Sequence, residues 1–458
     1  MLHDKNFILT KLLIMRKLIT IALVLFTTAS FAQAGHIMQG VGAENMSMGG
    51  AATAMPVGIS GAIQWNPATL SAFKGKILDF NIGAFSSSPE LSSSYGPMSG
   101  ITKDDRGISP MPALAFVYGK EGSKSTFGIS AFGISGFGVT FPENLNYPQD
   151  VFGNPNPNFN PSQPVNPISF PQYAGGFGKI KSDYMLLQVS LSYSYEILKG
   201  LSIGVQPNFD FATLELEPNP LSSPSMMGYP VSDKASAFGF GAQFGIFYAS
   251  KGGVNLGVSY KTTQSFSAFD FKNTNLDGSA APNVDFTMDY PSILSLGVGY
   301  TADVIDLTVD FRSVNYSCTE GFEAKGWTQT GSVQGFGWND VYILSAGMQL
   351  KVVEKLPIRL GYTYSSNPIN SDLAFFSIPA TAVIKNAVQV GLGYEINDKI
   401  AVNGVYHYGT SNGKTEGPML DPRMASPSNP YGVVSGTSVG YKMNTNMIML
   451  GFSYNFEK

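Results

Sequence analysis

The stretch from Phe238 to Ile246 reads Phe-Gly-Phe-Gly-Ala-Gln-Phe-Gly-Ile, so large apolar residues alternate with glycine or glutamine. Successive side chains of a β-strand point to opposite faces, so one face of this strand is apolar and the other is small or uncharged. The alternation recurs at residues 187–195, 294–300, 342–350, 388–394 and 448–456. A soluble β-sandwich or propeller is the alternative, but its second face would carry more Lys and Glu. The pattern indicates a transmembrane barrel, whose strands turn apolar residues to lipid and polar residues to the lumen.

The composition supports a barrel and argues against several other classes. Only 13% of the 458 residues are charged, about half the share in ordinary soluble domains. After the N-terminal leader, no segment holds the roughly 20 apolar residues that a membrane helix needs. The formal net charge of −4 argues against binding to the phosphate backbone of nucleic acid. Closed barrels and helices are the two structures that satisfy every backbone group within lipid, so we expect an all-β antiparallel barrel.

The alternating segments predict about fourteen strands, an even number typical of single-chain bacterial barrels. Their centres are expected near residues 80, 115, 129, 190, 206, 242, 260, 295, 310, 346, 361, 391, 405 and 449. Short turns alternate with long, Pro-rich connections such as residues 141–180 and 414–438, as periplasmic turns alternate with extracellular loops. Closure removes exposed strand edges, so we expect the strand that ends at Phe456 to pair with the strand near Phe80.

Residues 1–34 have the features of a cleaved export signal. Arg16 and Lys17 precede a short apolar run, Ile19 to Phe26, and Ala32-Gln33-Ala34 is a suitable cleavage site. We place the mature start at Gly35, and Met15, directly before Arg16, is an alternative initiation codon. The signal predicts a bacterial periplasmic route, and the barrel pattern then predicts the bacterial outer membrane as the destination.

Residues 35–75 break the strand pattern and precede the barrel, which we place at 76–458. They are rich in small residues such as Gly49, Gly50, Ala51 and Ala52, which pack closely but cannot form a wide lipid-facing strand. We predict that this segment is a hatch, or plug, inside the lumen. The alternative is a periplasmic tail.

Specific short motifs connect this chain to a known family. Gly42 to Ala54 reads Gly-Ala-Glu-Asn-Met-Ser-Met-Gly-Gly-Ala-Ala-Thr-Ala, and Trp65-Asn66-Pro67-Ala68-Thr69-Leu70 follows. The C-terminal half adds, in order, Gly337-Trp338-Asn339-Asp340, Arg359-Leu360-Gly361-Tyr362, Asn367-Pro368-Ile369, Phe376-Ser377-Ile378-Pro379 and Val390-Gly391-Leu392-Gly393-Tyr394. In their order and spacing these motifs resemble the FadL/TodX family of outer-membrane transporters for hydrophobic compounds, including long-chain fatty acids. The resemblance implies a fourteen-stranded barrel closed by a hatch. It also implies that ligand enters hydrophobic sites in the lumen and leaves through hatch movement and a kinked third strand.

The resemblance also suggests two moving parts. Asn66, Pro67 and Ala68 match the family's hatch motif, and Pro67 restricts its own φ and biases Asn66 towards extended conformations. We interpret this triplet as a hinge or constriction, with a plain turn as the alternative. Segment 127–141 is the candidate for the kinked third strand. Its residues Phe132, Gly133, Gly136, Phe137 and Gly138 combine bend-forming glycines with apolar rings. An ordinary Gly-aromatic strand is the alternative.

Two arginines are candidates for binding a ligand carboxylate. Strand parity turns Arg312 and Arg359 to the lumen, because the neighbouring Phe311 and Leu360 face lipid. The alternative is that lumen arginines pair with acidic residues inside the barrel, and Asp310 shares the parity of Arg312.

The sequence gives no support for catalysis, a metal site or a cofactor. It contains neither Gly-x-x-x-x-Gly-Lys-Ser/Thr nor His-Glu-x-x-His, and His407 is the one histidine in the predicted barrel. We therefore expect a non-enzymatic, monomeric channel that needs no cofactor and whose partners are a small hydrophobic ligand and outer-membrane lipid. It would transport long-chain fatty acids or aromatic hydrocarbons by passive diffusion. The alternative is a structural or adhesive barrel that binds a partner through its extracellular loops, but such a barrel has no need of a movable hatch.

Overall fold

Neighbouring strands pair antiparallel around a closed ring in the computed structural model, which describes residues 35–457. The export signal predicted for residues 1–34 lies outside the described residues. No helix within residues 35–457 is long and apolar enough to cross a membrane.

The strands are named here in chain order. They are β1 (Gly75–Tyr95), β2 (Met98–Lys103), β3 (Ile108–Gly119), β4 (Ser125–Phe141), β5 (Ile180–Leu198), β6 (Leu201–Glu217), β7 (Val231–Ser232), β8 (Ala235–Ala249), β9 (Val254–Lys261), β10 (Ser265–Phe266), β11 (Phe269–Thr274), β12 (Ala280–Phe286), β13 (Ser292–Thr301), β14 (Ile305–Asn315), β15 (Val341–Leu350), β16 (Ile358–Ser365), β17 (Asn386–Glu395), β18 (Ile400–Thr410), β19 (Thr415–Gly417) and β20 (Thr437–Asn455).

The wall of the barrel within residues 35–457 consists of 14 strands. The other six, β2, β7, β10, β11, β12 and β19, belong to the connections. Each predicted strand centre falls in a wall strand, so the predicted all-β barrel is confirmed. Closure is also confirmed, because β20 pairs with β1 along its length and Phe452 lies opposite Phe80. The last strand ends at Asn455, one residue before the predicted Phe456.

The two faces of the wall differ as the alternation predicts. In β5, Leu187 and Leu191 are exposed on the outer face, whereas Gln188 and Ser190 are buried on the inner face. The exposed outer face is apolar because lipid, and not water, is its natural solvent.

Short turns and long connections lie at opposite ends of the barrel. One end of the barrel carries the short turns and is named here the turn end. There β5 ends at Leu198 and β6 begins at Leu201. Gly75, the first residue of β1, and Asn455, the last residue of β20, lie at the same end. At the opposite end, the loop end, long connections such as residues 142–179 and 316–340 join the strands. This alternation is the one predicted from the sequence.

Residues 35–72, named here the N-terminal segment, are packed inside the ring. They contain α1 (Ala43–Ser47), α2 (Ile59–Trp65) and a 3₁₀-helix (Pro67–Ala72), and nearly all of their side chains are buried. The alternating pattern places the glycines of the inner face at a lumen, but the structure gives a more specific reason for them. A Cβ atom at Gly245 would lie 1.9 Å from Asn66 Oδ1, and one at Gly361 would lie 2.1 Å from the backbone nitrogen of Gly49. The inner-face glycines therefore let the N-terminal segment pack directly against the backbone of the wall.

Candidate functional site

The third wall strand, β4, carries the bend predicted for segment 127–141. Its register with β5 shifts between Gly133 and Ser135, which is a β-bulge. Ile134 and Ser135 are consecutive residues and yet both are buried, because an extra residue in a strand locally breaks the alternation of faces. Beyond the bulge the inward positions fall on Phe137 and Val139.

This bulge borders a gap in the hydrogen-bonded wall. β4 pairs with β5 as far as Phe141, but it pairs with β3 only up to Phe132, which lies opposite Ala113. At the loop end, the backbone nitrogen of Asp105 donates to the carbonyl oxygen of Thr140, 2.9 Å away. This hydrogen bond bounds the gap on the side of the loops. We name the gap between residues 108–112 of β3 and 133–139 of β4 the lateral window. The predicted residues Gly133, Gly136, Phe137 and Gly138 all lie along it, and Phe132 lies at its lower edge.

The start of the N-terminal segment covers the window from inside. The backbone nitrogen of Met38 donates to Ile134 O at 3.0 Å, and that of Gly136 donates to His36 O at 3.1 Å. Ile37 forms an antiparallel bridge with Ser135. Residues 36–38 thus act as a short inner strand on the edge of β4 that β3 leaves unpaired.

His36 lies in a closed cluster of aromatic rings, named here the aromatic chamber. Its imidazole has ring-centroid distances of 5.0–6.3 Å to Phe137, Tyr184, Tyr290, Tyr316, Phe322 and Trp338. His36 Nδ1 lies 2.7 Å from the hydroxyl oxygen of Tyr316, while Nε2 has no hydrogen-bond partner within residues 35–457. Sequence reasoning missed this chamber, because its rings come from distant wall strands and loops.

An apolar pocket lies at the loop end, where four connections meet. It is partly open to solvent and is lined by Phe177, Ile180, Pro218, Pro220, Tyr229, Trp327, Val333, Phe375, Phe376, Ile378 and Pro379. Burial raises the pKa of the Tyr229 hydroxyl, which stays protonated and donates to Gly331 O at 2.7 Å. No charged side chain is among the lining residues, so this loop-end pocket suits an apolar ligand.

A single segment separates the loop-end pocket from the aromatic chamber. Phe376, Ile378 and Pro379 line the pocket, while Ser377 Oγ accepts a hydrogen bond of 2.9 Å from the indole nitrogen of Trp338 in the chamber. On the chamber side, Ser182 donates to Pro379 O just before Tyr184 on β5. Pocket, chamber and window therefore follow one another from the loop end to the wall.

The Asn66-Pro67-Ala68 turn joins the N-terminal segment to the wall. Asn66 is fully buried, and its side-chain nitrogen donates to Thr53 O at 2.8 Å and to Ile246 O of β8 at 3.0 Å. Its Oδ1 accepts from the backbone nitrogen of Ala68 at 3.0 Å and so begins the 3₁₀-helix at Pro67. Ser194 of β5 donates to Ala68 O at 2.9 Å. The turn is thus tied to two wall strands.

Arg312 and Arg359 face inward as predicted, and both contact the N-terminal segment. Arg312 Nη2 lies 2.7 Å from Asp310 Oδ2 and donates to Gly50 O at 2.6 Å. Arg359 lies 3.4 Å from Glu44 Oε1 and donates to Gln349 and Asn403. These are the internal ion pairs that the sequence analysis gives as the alternative to a ligand carboxylate. A carboxylate would have to displace them, and its binding here stays a prediction.

Comparisons with known proteins agree with this fold. Residues 169–456 match the family model described as outer membrane protein transport protein (OMPP1/FadL/TodX). The Pseudomonas putida toluene transporter TodX superposes with a TM-score of 0.65 at 17% identity, covering 92% of this chain and 99% of that one. A Pseudomonas aeruginosa FadL homologue gives 0.67 at 12% identity, covering 93% and 100%. The Ralstonia pickettii toluene transporter TbuX gives 0.61 at 16% identity, covering 92% and 99%. No curated protein sequence matches the chain.

Proposed function

The chain belongs to the outer membrane protein transport family (OMPP1/FadL/TodX) of the bacterial outer membrane, and we propose that it transports small hydrophobic molecules across that membrane by passive diffusion. A ligand would be captured in the loop-end pocket, which faces the cell exterior. It would then pass into the aromatic chamber and leave sideways through the lateral window. No cofactor and no energy source are needed, because the ligand moves down its own concentration gradient.

The observation that carries the proposal is the position of residues 36–38. They fill the aromatic chamber with His36 and cover the lateral window with the backbone of Met38 at the same time. A ligand that enters the chamber therefore competes with the same residues that cover the window. Binding and opening are coupled, because a ligand shifts a conformational equilibrium by its preference for one of the two states.

Displacing residues 36–38 costs hydrogen bonds that the burial of a ligand would have to offset. Residues 36–38 are joined to β4 by two backbone hydrogen bonds and by one from Ser135 Oγ to His36 O at 3.0 Å, each worth about 1 kcal/mol net. Burial of an apolar ligand gains roughly 25 cal/mol for each Å² removed from water, so about 100 Å² of apolar contact is of comparable size. Apolar burial of a ligand can therefore offset the hydrogen bonds that residues 36–38 lose.

The rest of the N-terminal segment would act as a fixed hatch. Asn66 is bonded to Ile246 of the wall, and Asp310 accepts hydrogen bonds from the backbone nitrogens of Ala52 and Thr53 at 2.9 Å each. We propose that the Asn66-Pro67-Ala68 turn is the stationary end of the hatch. Movement is then confined to its first residues, up to about Val41.

The lining of the pocket points to a class of ligand. Its side chains are aromatic, aliphatic or proline, without a charged group, and the arginines of the lumen are engaged by the hatch. We propose neutral apolar compounds, such as monoaromatic hydrocarbons, as the preferred ligands, with fatty acids as the second class.

Uptake measurements test the proposal. Cells without a channel of this family are given the chain, and the entry rates of radiolabelled toluene and oleate are compared with cells carrying the empty vector. We expect faster uptake of toluene, and a several-fold reduction in the variant Trp327→Ala, which removes the largest ring of the pocket. The matched variant Tyr173→Ala, in the exposed part of the same end of the barrel, should keep wild-type rates. If the wild-type chain accelerates neither compound, the adhesive barrel becomes the better interpretation.

A further inference from the structure

Two prolines, Pro110 and Pro112, lie in the second wall strand just beyond the last pair that joins it to β4. We propose that Pro110 and Pro112 of β3 hold the lateral window open by removing the hydrogen-bond donors that would join β3 to β4. The inference rests on the proposed function only in taking the window as the route by which ligand leaves.

β3 loses its partner on one edge and keeps it on the other. Its pairing with β1 continues through both prolines, with Pro112 opposite Ile82 and Pro110 opposite Ala84. Its pairing with β4 stops at Ala113, the residue next to Pro112. The strand therefore remains part of the wall over its whole length, and hydrogen bonds are missing only on the edge that faces β4.

The chemistry of proline accounts for this one-sided loss. Proline has no backbone N–H and cannot donate to a ladder, so it is tolerated in sheets at edges and bulges. Residues two apart in a strand direct their backbone groups to the same neighbour, so Pro110 and Pro112 remove donors from a single edge. That edge faces β4, because Pro112 O is the heavy atom closest to the Cβ position of Gly133, at 4.0 Å.

The atoms that β3 leaves free on β4 are those used by residues 36–38. Ile134 O and Gly136 N lie beyond the last β3–β4 pair, and they bond to Met38 N and His36 O. An unbroken β3 would compete for this edge of β4. The two prolines thus keep β3 off this edge of β4. The edge is left to residues 36–38, which can be displaced without unfolding the wall.

Both proline side chains point outward and are exposed. Their replacement by valine keeps an apolar surface towards lipid, removes no core packing and restores two N–H donors. A loss of transport in the double variant Pro110→Val/Pro112→Val would therefore not be a loss of the fold.

The wall offers a matched control in Pro207 of β6. This proline also lies within a wall strand, and the β5–β6 pairing skips from Ser190–Asn208 to Tyr193–Val205 around it. The ladder resumes on both sides, and β6 does not border the window. Pro207→Val therefore restores a backbone N–H donor in a wall strand away from the lateral window.

The experiment compares hydrogen exchange and transport in the full-length protein. In detergent, we expect the new amides at positions 110 and 112 to be protected in the double variant, while peptides covering residues 35–41 exchange faster than in the wild type. In cells at equal surface abundance, uptake of radiolabelled toluene should fall several-fold. Pro207→Val should match the wild type in both uptake and exchange at residues 35–41, and the heat stability of all variants should be equal to the wild type or higher.

Two results would overturn the inference. One is fast, unprotected exchange at positions 110 and 112, which would show that the prolines do not keep β3 and β4 apart. The other is wild-type uptake in a double variant whose amides are protected, which would show that ligand leaves elsewhere. If the wild-type chain itself fails to transport toluene, the proposed function fails, but the exchange data still decide the role of the prolines.

Discussion

The guanidinium carbon of Arg312 lies 3.7 Å from the ring centroid of Trp65, so a wall strand holds the end of α2 by a cation–π contact. The same guanidinium pairs with Asp310, whose carboxylate accepts hydrogen bonds from Ala52 and Thr53. Both charged side chains are almost completely buried. The wall and the N-terminal segment are therefore joined by one buried polar network, and its loss should loosen the hatch more than the wall.

The first prediction concerns this network. Arg312→Gln leaves Asp310 without its counter-ion, and removal of one partner of a buried pair commonly costs about 3–5 kcal/mol. We expect faster hydrogen exchange over residues 50–65 and larger, noisier currents in planar bilayers, while the wall stays folded. Arg423→Gln is the matched control, since Arg423 pairs with Asp421 at 2.6 Å in an exposed connection, where such pairs are worth roughly 0–1 kcal/mol. Unchanged exchange in Arg312→Gln would contradict an anchoring role.

The second prediction concerns the hatch as a barrier. Deletion of residues 36–70 removes nearly the whole N-terminal segment from the lumen, so single-channel conductance in planar bilayers should rise clearly above that of the wild type. Deletion of residues 154–162 from the exposed connection between β4 and β5 should leave conductance unchanged. A wild-type protein that already conducts as well as the first deletion would show that the segment blocks nothing.

The third prediction tests the Asn66-Pro67-Ala68 turn. Ala68 is fully buried, and a Cβ at Gly204 would lie 2.3 Å from its backbone nitrogen. A tryptophan at position 68 is too large for the space between the turn and β6, and such overpacking commonly costs about 1–3 kcal/mol. Ala68→Trp should therefore displace the hatch from its contact with the wall. We expect a barrel that still resists heat but takes up labelled toluene several-fold more slowly. Ala425→Trp, at an exposed loop position, should behave as the wild type, and equal uptake by both variants would rule out a role for the turn in transport.

The fourth prediction tests the bend of β4. A Cβ at Gly136 would lie 3.0 Å from Tyr184 O, and a β-branched residue favours regular extended pairing. Gly136→Val should therefore straighten β4, weaken its bond to His36 and lower uptake several-fold. Gly404→Val is the control, because a Cβ there would meet Leu450 at an ordinary 3.6 Å. If both valine variants transport at the same rate, the bulge is not part of the route.

Much of the wall could be predicted from the sequence because its pattern is local. Alternation places Leu187 outside and Gln188 inside whatever the neighbouring strands are. The same parity argument turns Arg312 and Arg359 inward without any knowledge of their partners. The bend near Gly136 is also a local property, since glycines in a strand mark bulges.

The candidate site was harder to predict because it depends on contacts between distant residues. His36 is unremarkable in sequence, and its importance comes from rings such as Tyr316 and Trp338, which the barrel brings together. The edge of the lateral window could not be predicted from the sequence for the same reason. Pro110 and Pro112 break β3 only on the side of β4, and the side to which they point is fixed by the register of three strands.

The close fit between Gly245 and Asn66, and between Gly361 and Gly49, has a consequence for biogenesis. At these two glycines the wall lies so close to the N-terminal segment that no Cβ atom would fit, which leaves no clearance through which a folded hatch could slide into a finished ring. The segment is also the part of the chain that directly precedes β1, one side of the closing β1–β20 seam. The barrel must accordingly be assembled around its own interior, with the last strand sealing a wall that is already filled.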